Sequence, residues 1–153
     1  MKAIAEELSG IVEEYGKQLS ALSQEEFRKK PSPEKWSRLE ELGHLIDSAH
    51  SNLRRFIVAQ YEEQPKIVYD QNFWNKAANY QHQSSAQLIS LWRLLNIQVC
   101  EVLKSTPEAA AKRNCDTGKG IIELHSIEWL ATDYIKHLLH HLHHILMLEA
   151  IPY

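Results

Sequence analysis

Apolar residues recur at helical spacing along four long segments of the chain. In each segment they fall near positions i, i+3, i+4 and i+7, which is the period of an amphipathic helix. The predicted helices run from about residue 3 to 22, from Ser37 to about Gln60, from Ser84 or Ser85 through Leu103, and from about residue 121 to 150. A short helical turn is also predicted over residues 108–112. No segment carries a credible strand pattern, so the sequence predicts an all-α protein.

The connections between these segments predict how the helices are arranged. Ser37 and Glu40 fit the N-cap and N3 positions of a capping box, which fixes the start of the second helix. From Tyr61 to Gln83 the helical pattern lapses, and a connection of roughly twenty residues is long for a compact domain. Four amphipathic helices with one such connection predict a four-helix bundle with a long crossover between helices 2 and 3. We expect a single domain over residues 1–153.

The composition narrows the class of protein. Apolar residues make up 44% of the chain and charged residues 24%, as in an ordinary globular domain. A formal net charge of −3 argues against a nucleic-acid-binding module, and no apolar run is long enough for a membrane span. The first residues lack the apolar core of a signal peptide, and Cys100 and Cys115 do not make a disulfide framework. We therefore expect a cytoplasmic protein that binds neither nucleic acid nor membranes.

The fourth predicted helix is dense in histidine. Five of the nine histidines of the chain lie in it, at positions 137, 140, 141, 143 and 144. The apolar residues of this helix gather into one arc roughly 120° wide, with His137 and His141 along its edge. The other three point towards solvent, which predicts that they are surface residues. Two imidazoles four residues apart can reach one metal ion at about 2.0–2.1 Å. Because such a pair on its own is more often solvated or hydrogen-bonded, a metal site requires a third ligand.

His44 is the candidate for that third ligand. It lies on a flank of the second helix whose other members are also polar: Glu41, Ser48, Asn52 and Arg55. A flank of this kind either lines a ligand pocket or faces solvent. Metal sites in helical bundles are built in the core from side chains on facing helices. The predicted bundle therefore brings His44 within reach of the pair on the last helix.

Three segments of the chain carry motifs in a definite order. Residues 35–48 read KWSRLEELGHLIDS and fit the pattern WS-x-x-E-x-x-x-H-x-x-D-S. Tyr69 and Asp70, followed by Trp74, form an aromatic segment in the middle of the chain. Residues 133–141 read DYIKHLLHH and fit the pattern Y-x-x-H-x-x-H-H. In content, order and spacing these segments resemble the DinB-like (YfiT-type) superfamily over nearly the whole chain.

This resemblance implies a site as well as a fold. The family is expected to form a four-helix bundle of unusual connectivity in which three histidines hold a divalent metal ion. Carried over residue by residue, the ligands are His44, His137 and His141. Members of the family are metal-dependent transferases that join low-molecular-weight thiols, such as bacillithiol or mycothiol, to electrophiles. Hydrolase activities are also attributed to members, and many have no assigned reaction. The expected partners are thus a small-molecule thiol and an electrophilic substrate.

Three neutral imidazoles around a divalent cation define its chemistry. They leave at least one open coordination position, as in a catalytic rather than a structural zinc site. Water in that position has its pKa lowered towards neutrality, and a thiol is deprotonated. Zinc or nickel is expected first, with manganese or iron as further options, because imidazole suits several metals. We favour thiol transfer, with a metal-dependent hydrolase or a non-catalytic metal-binding protein as alternatives.

Few other residues stand out as candidates for chemistry. Leu138 occupies the position where a His–Glu–x–x–His metalloprotease carries its general base, which argues against peptidase chemistry. Asp47 and Glu41 are the candidates to orient a ligand imidazole through its second ring nitrogen. Helix N-terminal capping or plain solvation is the commoner role for such carboxylates. Tyr134 and Arg55 could contact substrate or serve ordinary structural roles.

Two tryptophans bear on the oligomeric state. If Trp92 and Trp129 are exposed on the helices, they favour a homodimer that buries them.

Overall fold

The fold is built from seven helices and one small hairpin. The computed structural model describes residues 1–153. Its helices are α1 (Lys2–Ser20), α2 (Gln24–Arg28), α3 (Arg38–Val58), α4 (Gln71–Ala78), α5 (Ser85–Ser105), α6 (Glu108–Ala111) and α7 (Ile127–Leu146), with a 3-10 turn at Tyr80–His82. Two antiparallel strands, β1 (Asn114–Asp116) and β2 (Leu124–Ser126), precede α7.

The four long helices α1, α3, α5 and α7 form the bundle. Helix α3 packs against both α5 and α7, and α1 packs mainly against α5. The core between them is apolar and fully enclosed, and its largest side chains include Trp92, Phe56, Leu42 and Leu138. The prediction of an all-α four-helix bundle is therefore confirmed. No helix combines the length and the apolar character that a membrane span requires.

A capping box fixes the start of α3, the helix that carries His44. The Ser37 side chain accepts a hydrogen bond from the Glu40 backbone N–H, and the Glu40 side chain accepts one from the Ser37 N–H. This is the capping box expected from the sequence. Further along α3, Gly43 allows the ring of Tyr80 to pack directly on the helix, because an added Cβ would overlap that ring.

The long connection between α3 and α5 is more ordered than its sequence pattern indicates. It contains α4, which begins where the Asp70 carboxylate accepts hydrogen bonds from the N–H groups of Asn72 and Phe73. Tyr69 and Trp74 pack edge to face. The connection returns to α3 through Tyr80, whose hydroxyl donates to Asp47 at 2.6 Å.

The region before α7 differs from the prediction. Helix α7 begins at Ile127 rather than near residue 121, and strand β2 occupies Leu124–Ser126. Ile121 and Ile122 are 73% and 74% exposed, so their apolar pattern does not reflect burial on a helix face. The hairpin turn is organised by Asp116 instead, whose Oδ1 accepts from two backbone N–H groups across the turn, those of Gly118 and Glu123. Helix α7 also ends earlier than predicted, at Leu146.

The two tryptophans considered for dimerisation have different environments. Trp92 is completely buried in the core of the single chain, so it is not an interface residue. Trp129 is 47% exposed, and its indole stacks on the His125 ring at a centroid distance of 3.8 Å. The homodimer remains a prediction.

Candidate metal centre

Three imidazoles from two helices converge between α3 and α7. His44 projects from α3, and His137 and His141 project from successive turns of α7. The candidate ligand atoms of the three side chains all lie within 4.8 Å of one another. The Nε2 atoms of His44 and His137 are 3.1 Å apart. The structure thus brings together all three residues that the sequence predicted as ligands.

The spacing of these nitrogens fits a metal ion. Two nitrogens bound to one tetrahedral ion at about 2.0–2.1 Å lie about 3.3 Å apart. The separation of 3.1 Å between His44 and His137 is close to this value. The widest separation in the group, 4.8 Å at most, calls for an approach of about 1.5 Å to reach that spacing. Rotation of an imidazole about its side-chain bonds can supply such a movement.

Burial keeps two of the three imidazoles uncharged. His44 is only 3% exposed. Burial, followed by the neighbouring charge of His141, lowers the pKa of His44 to about 4. Burial, followed by the charges of His141 and His44, lowers the pKa of His137 to about 3. Near neutral pH both rings therefore keep a free lone pair, which is the form that binds metals.

Glu41 orients the third imidazole. Its Oε1 accepts a hydrogen bond of 2.8 Å from Nδ1 of His141, which leaves Nε2 of that ring to face the other two histidines. The same carboxylate accepts from Nδ1 of His144 at 2.6 Å. Burial favours a raised pKa for Glu41, but the hydrogen bonds and charges of the two histidines outweigh it and the pKa is lowered. A carboxylate behind a ligating histidine is a common arrangement in metal sites, where it fixes the tautomer and orientation of the ring.

Asp47, the other candidate to orient a ligand, has a different role. Its Oδ1 accepts from the Tyr80 hydroxyl, and its Oδ2 is buried without a hydrogen-bond partner. Burial raises the pKa of Asp47. Nδ1 of His44 also lacks a partner, and the ring of Trp36 lies 5.3 Å from the His44 ring between centroids. His44 is thus positioned by packing rather than by a carboxylate.

The remaining histidines of α7 are at least partly exposed, as predicted, but each of them also forms hydrogen bonds. Met147 adopts a left-handed conformation (φ 57°) that ends α7 and turns the chain back along it. We call residues 147–153 the return segment. Nδ1 of His140 donates to the Ile151 carbonyl and Nδ1 of His143 to the Glu149 carbonyl, both at 2.7 Å.

His144 is also tied into the structure rather than left free. Although its side chain is 70% exposed, it is hydrogen-bonded to Glu41. Each histidine of α7 therefore has a defined structural partner, because His137 and His141 converge with His44.

The return segment brings an aromatic side chain to the centre. The ring of Tyr153 packs edge-on against His137, with 5.2 Å between ring centroids. Its hydroxyl donates to Asp133 at 2.9 Å. Tyr153 therefore covers one side of His137.

Neither Tyr134 nor Arg55 hydrogen-bonds to the three histidines. Tyr134 is 1% exposed, and its hydroxyl donates to Oδ1 of Asn96 at 2.6 Å in the core. The Arg55 guanidinium donates to the Ile67 carbonyl and to Oδ1 of Asn52. Both side chains thus have structural partners of their own.

A cavity lies beside the centre. Its volume is about 700 Å³, and it opens between the connection from α2 to α3 and the return segment. Glu41 and His144 form part of its wall, as does Trp36, which also contacts His44. The cavity and the centre therefore share the carboxylate that orients His141.

These observations define a class of protein: a four-helix bundle with three convergent histidines between two of its long helices. Residues 13–145 match the family model of the DinB superfamily. The chain belongs to the DinB superfamily.

Solved structures agree on the fold. YfiT from Bacillus subtilis, described as a probable metal-dependent hydrolase with an unusual four-helix bundle topology, matches with a TM-score of 0.81. The sequences are 20% identical, and the match covers 94% of this chain and 84% of that one. A mycothiol-dependent maleylpyruvate isomerase matches with a TM-score of 0.70 at 18% identity, over 98% of this chain and 60% of that one. No curated protein sequence matches the chain significantly.

Proposed function

We propose that this protein binds a divalent metal ion through His44, His137 and His141 and uses it to join a low-molecular-weight thiol to a small electrophile. The observation that carries the proposal is the convergence of three imidazoles, two of them kept neutral by burial, on one point between α3 and α7. A divalent cation there supplies Lewis-acid activation, which lowers the pKa of a thiol or of water.

The residues around the three ligands support this role. Glu41 holds the His141 ring with Nε2 directed inward. Trp36 and Tyr153 place aromatic surfaces against His44 and His137, and these surfaces exclude water from part of the centre. The large cavity next to Glu41 offers room for an organic molecule.

The comparisons favour a thiol as the partner. The maleylpyruvate isomerase that shares this fold is mycothiol-dependent, and the family motifs of this chain resemble those of thiol transferases. At 18% identity the likeness extends to the fold, so the thiol itself is part of the proposal.

A turnover assay tests the proposal. Protein purified without a histidine tag is loaded with zinc or nickel and mixed with mycothiol or bacillithiol and a panel of small electrophiles, such as an epoxide and an activated aryl chloride. We expect a thioether product, detected by mass spectrometry, that requires the metal and disappears in His137→Ala. A metal-loaded protein that forms no thioether with any pair contradicts thiol transfer.

A metal-dependent hydrolase is the second candidate, and the likeness to YfiT favours it. The same loaded protein is assayed on small esters and amides with no thiol present. Hydrolysis that is lost in His137→Ala and unaffected by added thiol identifies this candidate. Tight metal binding without turnover in either assay identifies a metal-binding protein without catalysis.

A further inference from the structure

The cavity beside the metal centre has the size of a ligand pocket. Sites for small organic molecules measure about 300–1,000 Å³, and this cavity measures about 700 Å³. One wall comes from residues 26–38 and the opposite wall from the end of α7 and the return segment. A molecule in it lies next to Glu41 and His144, and therefore next to the His141 ligand that Glu41 orients.

Part of the cavity wall is apolar. Trp36 contributes an aromatic face, and Met147 and Leu148 of the return segment contribute aliphatic surface opposite the α2–α3 connection. Leu148 is 43% exposed and Met147 77% exposed, so this surface is accessible to a ligand. It suits the aromatic or aliphatic body of a small molecule.

The acidic side chains of the wall are already engaged. Glu41 accepts hydrogen bonds from His141 and His144. The Glu26 carboxylate accepts from the backbone N–H and the hydroxyl of Ser23, within the capping box of α2. These hydrogen bonds occupy part of each carboxylate and leave its negative charge in place.

Two of the three cations in the wall form no direct ion pair, although the positive charge of Arg38 contributes to lowering the pKa of the nearby Glu26 carboxyl. Lys30 is paired with Glu40 at 2.8 Å. Lys29 and Arg38 form no ion pair. The polar contact of Arg38 is with the Met147 sulfur, at 2.6 Å from Nη2, and a thioether is a weak acceptor. Lys29 and Arg38 are therefore the two cations of the wall that are left to pair with an anionic group of a ligand.

We propose that this cavity binds an acid-bearing small molecule, with its apolar body against Trp36 and its anionic group held by Lys29 and Arg38. The inference rests on the proposed function in one respect: it makes this molecule a reactant at the adjacent centre. The acidic group that Lys29 and Arg38 bind can belong either to the thiol or to the electrophile. Lys29 and Arg38 are then the residues that select acidic reactants over neutral ones.

Two fluorescent probes test the inference on the metal-free protein, so its failure is separate from a failure of metal binding. The first probe is 1-anilinonaphthalene-8-sulfonate, which joins an aromatic body to an anion. The second is N-phenyl-1-naphthylamine, which has a similar body and no charge. The test variant is K29Q/R38Q. The control variant is K35Q, which removes an exposed lysine of the same connection that does not line the cavity.

We expect the anionic probe to bind the wild-type protein at one site and K29Q/R38Q about fivefold more weakly, from the loss of two partly exposed ion pairs. The neutral probe should bind both proteins within twofold, and K35Q should match the wild type with both probes. Added salt should weaken the anionic probe alone. Equal binding of the anionic probe to wild type and K29Q/R38Q overturns the inference, and so does its failure to bind the wild type. An equal loss of the neutral probe, which would indicate a collapsed cavity rather than lost charge recognition, overturns the assignment to these two residues.

Discussion

Helix α7 contributes to two polar clusters, one buried and one partly buried, that differ in how their hydrogen bonds are satisfied. On the side facing α5, the Tyr134 hydroxyl donates to Oδ1 of Asn96, and Nδ2 of Asn96 donates to the Trp92 carbonyl. On the side facing α3, three imidazoles direct nitrogens at one another, and Nδ1 of His44 has no partner. In the first cluster the side chains of Tyr134 and Asn96 satisfy each other, although Nε1 of Trp92 is buried without a partner. In the second cluster a single 3.1 Å contact joins His44 to His137.

The difference separates a structural polar cluster from the proposed metal site. Buried polar groups that pair with one another contribute to stability and fix the packing. The three imidazoles gain less from one another, because the only hydrogen bond among them joins His44 to His137 at 3.1 Å. Burial and mutual repulsion lower the pKa of His44 and His137. Such a site is stabilised by a cation that uses the lone pairs, since binding to the folded state adds to stability.

The largest expected effect is the loss of metal affinity when one of the three histidines is removed. His44→Ala removes one of three ligands and should weaken zinc or nickel binding by more than about 100-fold, beyond the range seen when an outer partner is lost. His50→Ala is the control, because it removes an exposed histidine of the same helix. Isothermal titration calorimetry of tag-free protein measures both. Affinity in His44→Ala equal to that of the control would contradict the assigned ligand set.

Removing the carboxylate behind the site should have a smaller effect on the same affinity. Glu41→Gln keeps the shape of the side chain but loses the charge that orients His141, and metal affinity should fall about 10–100-fold. His144→Ala leaves the hydrogen bond from His141 to Glu41 in place and should change affinity less than about threefold. An equal loss in both variants would mean that Glu41 acts through His144 rather than through the ligand.

A substitution in the Tyr134–Asn96 cluster should have the opposite effects, lowering the stability of the fold and leaving metal binding unchanged. Tyr134→Phe leaves Oδ1 of Asn96 buried without its donor, so the free energy of unfolding should fall by about 1–3 kcal/mol. Metal affinity should stay within about twofold, because neither residue contacts the three histidines. Urea denaturation and calorimetry test the two halves of this prediction. If Tyr134→Phe had normal stability but weakened metal binding, the structural role assigned to Tyr134 would be wrong.

The dependence of stability on pH should sharpen the contrast in metal-free protein. The pKa values of His44 and His137 are about 4 and about 3 in the folded state, whereas unfolded histidine titrates near its ordinary 6.5. The unfolded chain therefore binds protons first. Stability that is fully present above the ordinary value is lost progressively as pH falls below it, until the pH reaches the folded values of about 4 and about 3. The slope is at most about 1.4 kcal/mol per pH unit for each histidine.

Denaturation in the presence of a chelator measures this slope. It should persist in Tyr134→Phe and become shallower when His44 and His137 are both replaced by alanine. Identical slopes in wild type and the double variant would show that these imidazoles are not buried neutral bases.

The sequence predicts the ligands better than their surroundings. Helical periodicity placed His137 and His141 together on one edge of a helix, and the motif around His44 supplied the third candidate ligand. The same periodicity assigned His140 and His143 to solvent, because a helical wheel contains only the helix itself. Their partners are carbonyls of the return segment and, for His143, also the Tyr15 hydroxyl of α1. The return segment folds back at Met147, which adopts a left-handed conformation without being the glycine that usually marks such a turn.

The region before α7 shows a second limit of periodicity. Strands of three residues are too short to establish an alternating pattern, and Ile121, Ile122 and Leu124 extend the apolar spacing of the helix that follows. What ends the apparent helix is a side-chain interaction, the acceptance of two backbone N–H groups by Asp116. The sequence likewise offered two carboxylates, Asp47 and Glu41, to orient a ligand imidazole. Only the packing of α7 against α3 shows that Glu41 is the one that reaches a histidine.

The most direct test of the proposed centre locates the ion itself. Crystals of tag-free protein grown with one equivalent of zinc or nickel, measured at the absorption edge of that metal, give an anomalous difference map. We predict one strong peak bonded to a nitrogen of His44, of His137 and of His141, at about 2.0–2.1 Å from each. A peak placed instead on His140, His143 or His144, or the lack of any peak between α3 and α7 at full metal loading, would contradict the assignment.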